Sequence, residues 1–148
     1  MITYDELHDE IHEITEISNV FLYLIENRKM CDSQITCDLF FKYVDKVKNH
    51  LKTQDTAIYS LILQEGDSKA KDTADNFLSG SIEIKKIFES YLKSCSKRNH
   101  PKLLILDHQR FVTETKEIFK LVLDRFQHEI EQLYPLIQSI SGDMRKVA

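Results

Sequence analysis

The chain is short of the residues that interrupt regular structure. It holds three Gly and two Pro in 148 residues. Few breakers mean few turns, so its elements are expected to be few and long. Alternating apolar and polar runs of the strand type are also missing, which argues against a sheet-based core. No apolar run approaches the roughly 18–20 residues of a membrane span. The opening stretch, MITYDELHDE, is acidic and lacks the basic and apolar regions of a signal peptide. A cytoplasmic protein that does not enter the membrane is therefore expected. The net charge is −4, with both signs interspersed. Nothing resembles the basic stripe of a nucleic-acid reader. Cys31, Cys37 and Cys95 form no CxxC pair. They read as packed or partly exposed thiols of a reducing compartment.

What is present favours helices. The sequence is rich in Glu, Lys, Ile and Leu, and it is long enough for one domain with one core. The apolar spacing predicts an all-α, up-down-up-down four-helix bundle over residues 1–140, followed by a tail at 141–148.

Helix 1 is predicted to open at a capping box, Thr3 to Glu6, and to run to about Lys29. Its apolar stripe is Leu7, Ile11, Ile14, Phe21, Leu24 and Ile25. His8 and His12 lie one turn apart on the edge of that stripe. Two histidines so spaced can share a metal ion, or lie solvated on a helix flank. Helix 2, from Asp32 and Ser33 to about Gln64, carries Phe40, Tyr43 and Val47, then His50 and Gln54, then Ile58 and Leu61. Two polar residues thus take core positions, and Asp55 adjoins them.

Helix 3 follows the turn Glu65-Gly66-Asp67-Ser68 and runs to about Lys97, with the stripe Ala74, Phe77, Ser81, Ile84, Phe88, Tyr91 and Cys95. Gly80 and Ser81 are small residues in its middle. A helix-interior Gly costs about 1 kcal/mol against Ala. Such a step implies close packing of a neighbour, or room for a ligand or another helix's side chains. Ser96 to Lys102 reads as a loop with His100 on the surface, and Leu103 to Leu106 as an apolar plug at one end of the bundle.

Helix 4 is capped by Asp107, and Pro135 is expected to kink or end it. Its stripe is Phe111, Ile118, Val122, Leu133 and Leu136, interrupted by Arg125 and Glu129 one turn apart. His128 reads as exposed.

Counting levels from each turn brings His8 or His12, His50, Gln54, Gly80, Ser81, Arg125 and Glu129 to one height. Charges in a dry seam are expensive unless each finds partners. Non-haem iron accepts imidazole nitrogen and carboxylate oxygen. His8, His12, His50, Asp55 and Glu129 are therefore candidate ligands for one or two iron ions, with Gln54 a poor, neutral one. Arg125 cannot bind a metal. Its expected role is to pair with Glu129 or Asp55, neutralising buried carboxylates as a metal ion would.

Two segments carry a resemblance. Asn49 to Tyr59, NHLKTQDTAIY, is similar to the helix-2 pattern H-L-x-x-E-[DE]-x-x-L-[FY] of the hemerythrin-like (HHE cation-binding) family. Arg125 to Leu136, RFQHEIEQLYPL, is similar to that family's helix-4 ending, E-x-x-x-L-[FY]-P-L. His8-Asp-Glu-Ile11 fits its helix-1 opening. The resemblance implies a small bacterial four-helix protein that holds non-haem iron and senses oxygen, nitric oxide or redox state. By position it assigns His8, His50 and Glu129 as ligands. Gln54 stands where a ligating Glu is usual and Arg125 where a His is usual, and Gly80 and Ser81 supply no helix-3 ligand. Leu123 to Glu129 is also similar, over a short span, to the bacterial anti-sigma regulators of sigma-D/AlgQ type. That implies a metal-free module that binds a protein partner. No nucleophile–base pair, phosphate loop or complete ligand set is visible, so no enzyme is expected.

Overall fold

A computed structural model describes residues 4–97 and 100–141. The fold is all-α: α1 (Tyr4–Ile25), a one-turn α2 (Arg28–Cys31), α3 (Gln34–Glu65), α4 (Ser68–Cys95), α5 (His108–His128) and α6 (Tyr134–Ser141). Two short strands, β1 (Ser96–Lys97) and β2 (His100–Leu103), link α4 to α5. Local chemistry sets the helix starts. The Ser33 hydroxyl accepts from the Thr36 N–H at 3.3 Å, the Asp67 carboxylate from Ala70 at 2.8 Å, and Asp107 from Arg110 at 3.1 Å. Each satisfies one N–H that the first turn leaves open. Thr3 of the expected capping box, Asn99 of the expected loop and the tail beyond Ser141 lie outside the described residues. No described helix is long and apolar enough to cross a membrane.

Four expectations are corrected. Helix 1 stops at Ile25, because Asn27 caps a new turn by accepting from the Met30 N–H. The stretch read as a loop is an antiparallel hairpin, with Ser96 opposite Leu103 and Lys97 opposite His100. Leu103 and Ile105 pack against the core, but Leu104 and Leu106 stand exposed, so half of the presumed plug faces solvent. Of the kink or end expected at Pro135, the end is what fails: the helix runs on through it as α6. The proline ring would collide with the carbonyl four residues back in a regular α-helix. A π-helical turn, Glu129–Leu133, lies directly before α6, and the Tyr134 N–H reaches five residues back to the Glu129 carbonyl. The wider turn carries the chain through Pro135 to Ser141.

α1 packs on α3 and α5, α3 on α4 and α6, and α4 on α5. The core is layered. Towards the hairpin end, Phe21, Phe40, Tyr43, Tyr91 and Phe119 form an aromatic stack, with Tyr43 and Phe119 ring centroids 3.9 Å apart. Towards the other end, Leu7, Ile58, Ile62, Ala70, Ala74 and Ile137 form an aliphatic layer. Between them lies a polar belt.

Candidate functional site

Arg125, on the last turn of α5, is the centre of this belt and is 7% exposed. Its Nε donates to Glu129 Oε2 at 2.8 Å and its Nη1 to the Phe77 carbonyl at 2.8 Å. Its Nη2 donates to Gln54 Oε1 at 3.0 Å and to Ser81 Oγ at 3.1 Å. The guanidinium also lies over the Phe77 ring, 4.8 Å from the centroid. One planar cation thus ties α3, α4 and the π turn together, a use for which its rigid fork of donors is suited.

Gly80 makes the approach possible. A Cβ built there would stand 2.9 Å from Arg125 Nη1. Ser81 beside it is small enough to admit the guanidinium and polar enough to bond it. The room inferred from these two residues is filled by an arginine of a neighbouring helix.

His50 and Glu129 complete the belt, and both are fully buried. His50 bonds Glu129 Oε1 through Nε2 and Glu10 Oε2 through Nδ1, both at 2.8 Å. Burial by itself would lower the His50 pKa. The hydrogen bonds and charges of Glu10 and Glu129 outweigh it and raise the value to about 9. At neutral pH His50 is therefore an imidazolium that donates from both nitrogens. Glu129 is opposed in the same way. Burial pushes its pKa up, but His50 and Arg125 together hold it below the ordinary carboxylate value.

Tyr134 closes the remaining gap, 3.3 Å from Gln54 Nε2 and 3.4 Å from Glu129 Oε1. Further out, the Ser81 hydroxyl donates to Asp55 at 2.8 Å, and Lys85 reaches Asp55 at 3.0 Å. The charges alternate across the molecule: Glu10, His50, Glu129, Arg125, then Asp55 and Lys85. Each buried charge has an opposite neighbour, which is the condition for keeping charges in a core.

No family model, curated protein or solved structure matches this chain.

The candidate ligands divide. His50, Gln54 and Glu129 meet in the belt, where each polar side-chain atom described above already serves a protein partner. His12 does not join them. Its side chain is 76% exposed and pairs with Glu16 at 3.1 Å. His8 is half-buried and meets Tyr134 edge to face, with centroids 5.8 Å apart. Asp55 contacts Ser81 and Lys85 rather than His50. Among the described residues no three His, Cys, Asp or Glu side chains converge as metal ligands would. The donor set does not fit iron, because both His50 nitrogens are engaged by Glu10 and Glu129 and the Arg125 guanidinium, which cannot bind a metal, occupies the centre.

The two buried thiols, Cys31 and Cys95, are chemically quiet. Burial raises Cys31 to about 11 and Cys95 to about 12, so neither forms thiolate near neutrality.

Sequence reasoning missed Glu10, Tyr134, Lys85 and the Phe77 carbonyl. Glu10 sits one residue off the α1 stripe, where an acid normally reads as solvated. Tyr134 was hidden by the π turn, and a main-chain carbonyl carries no residue signal at all. The helix-4 stripe was partly right: Phe111, Val122 and Leu133 are buried as expected, but Ile118 and Leu136 are half-buried, and Thr115, Phe119 and Phe126 of α5 with Tyr134 and Ile137 of α6 are buried without having been assigned.

Proposed function

We propose that this chain is a metal-free regulatory module, a hemerythrin-like up-down-up-down four-helix bundle of the bacterial cytoplasm that acts by binding a protein partner. The observation that carries this reading is Arg125, which bonds Glu129, Gln54, Ser81 and the Phe77 carbonyl at once. A fixed cation neutralises Glu129, so the bundle keeps its polar belt without a metal ion. The outer surface offers exposed apolar side chains for contact, among them Tyr23, Ile35, Ile82, Ile87 and Leu106.

Iron loading tests the core of this reading. The purified protein, incubated anaerobically with ferrous iron, exposed to air and desalted, is expected to retain far less than one iron per chain and to show no oxo-iron absorption band. Stoichiometric iron with such a band would overturn the metal-free reading. Affinity capture from the source cells tests the other half, with sigma factors among the candidates. A bait that retains nothing above its control would count against a partner.

A further inference from the structure

The seams between helices are not closed alike. Lys46 to Glu13 joins α3 to α1 at 2.9 Å, and Lys48 to Glu89 and Lys85 to Asp55 join α3 and α4 at 3.4 and 3.0 Å. Lys116 to Glu26 ties α5 to the end of α1 at 3.0 Å. Among the described residues no ion pair crosses from α4 to α5. Those two helices are joined below the surface, by Arg125 on Ser81 and the Phe77 carbonyl and by Tyr91 on Thr115. Above these bonds a groove stays open.

The groove has two adjoining parts, of about 550 and about 450 Å³, which meet at Ile87. It follows α4 from Asn76 to Ser94 and the facing helix from Gln132 back to Glu114. At 1.5 Å per residue that is about 27 Å, or about five helical turns. The floor is apolar: Phe77, Ile84 and Ile87 from α4, Leu121 and Ile118 from α5. Ile87 is 37% exposed there.

The rims are acidic. Glu83 stands on the α4 side, and Glu114, Glu117 and Asp124 stand on the α5 side. Glu114 is held by Arg110 at 2.9 Å. Glu83, Glu117 and Asp124 have no ion-pair partner among the described residues. Lys86 is the one lysine lining the groove, His128 lies towards its Gln132 end, and the charge of Arg125 is answered by Glu129.

We propose that this groove docks an amphipathic helix of a partner protein, about five turns long, whose apolar stripe is flanked by lysine or arginine. The proposal rests on the interaction-module reading and names the face that such a module uses. The stripe would cover Ile87 and fill the space between α4 and α5, the helix-in-groove mode of recognition. The basic flanks would fall over Glu83 on one side and over Asp124 and Glu117 on the other, answering acids that the fold leaves unpaired. An acidic helix or an anionic lipid surface would meet charge of its own sign.

The test uses a labelled synthetic helix of about 19 residues, with Leu at i, i+3, i+4 and i+7 positions and Lys beside them, titrated with the full chain. Micromolar binding is expected, falling about tenfold as salt is raised from low to well above physiological. Ile87→Asp, and separately the pair Glu83→Lys with Asp124→Lys, should each weaken it by about tenfold while leaving the melting temperature unchanged. The same peptide with Glu for Lys should not bind. Amide shifts on binding should concentrate on α4 and α5. Failure of the lysine peptide to bind, binding unaffected in both variants, or shifts centred elsewhere would overturn the proposal. So would a wild-type dimer in light scattering that Ile87→Asp dissociates, because the groove would then belong to a second copy. Iron uptake would refute the metal-free core without altering the peptide result, so the two readings fail separately.

Discussion

A single guanidinium decides whether the charges in this core are tolerable. Removing it would leave Glu129 buried with one cationic partner instead of two, and Gln54, Ser81 and the Phe77 carbonyl without the donor they now share. Arg125→Met is therefore expected to destabilise the fold by about 3–5 kcal/mol, the usual loss when one member of a buried pair is removed. Chemical denaturation of the two proteins checks this, and an unchanged midpoint would show that the network contributes little.

The neighbouring residue makes stability depend on pH. His50 titrates near 6.5 when unfolded and about 9 when folded. A raised value means that its contribution is complete below pH 6.5 and is lost as pH rises through about 9. The loss should be on the order of 3 kcal/mol. Glu129 works in the opposite sense. Its folded value lies below the ordinary 4.5, so its contribution is present above that pH and disappears on acidification. Denaturation midpoints across this range should show a plateau between about pH 4.5 and 6.5 and an alkaline decline. His50→Gln should lower the plateau and remove the decline.

At the scale of elements, α4 and the π turn are shaped to fit that guanidinium. A glycine inside a helix normally costs about 1 kcal/mol against alanine, and Gly80 is kept where a Cβ would stand 2.9 Å from Arg125 Nη1. The same substitution should then have opposite signs in two backgrounds. Gly80→Ala is expected to destabilise the wild-type chain by about 1–2 kcal/mol by dislodging the guanidinium, whereas with Arg125→Met it should stabilise by up to about 1 kcal/mol. A double-mutant cycle measured by denaturation reads this directly, and equal effects in both backgrounds would show that glycine and arginine are not coupled. The π turn is the second device. It inserts one residue into the helical register, so that Tyr134 joins Glu129 on the buried side and Ile137 takes the core position assigned to Leu136. A wheel drawn at constant pitch cannot show that shift.

At the scale of the molecule, apolar layers on both sides of the belt hold the helices in place, so the chemistry of the belt is separable from the scaffold. Arg125→His combined with Gln54→Glu removes the central cation and adds two donors between layers that stay intact. This variant is expected to take up more iron than the wild-type chain under identical loading, measured by metal analysis after desalting. No gain over wild type would mean that the belt geometry cannot close around a metal.

The helical character, the cap at Asp107, the helix starts at Asp32 or Ser33 and after the turn Glu65 to Ser68, and the meeting of His50, Gln54, Arg125 and Glu129 were all legible in the sequence. They follow from apolar spacing and from counting residues between turns. The hairpin, the π turn, and the placement of His12 in solvent and Glu10 against His50 were not. Those features depend on a one-residue register shift and on which flank of α1 faces α3. Periodicity fixes which residues share a helix face. The contacts that such a face makes depend on how neighbouring helices rotate and slide to bury apolar surface while giving every buried charge a partner, and that balance exists only in the packed structure.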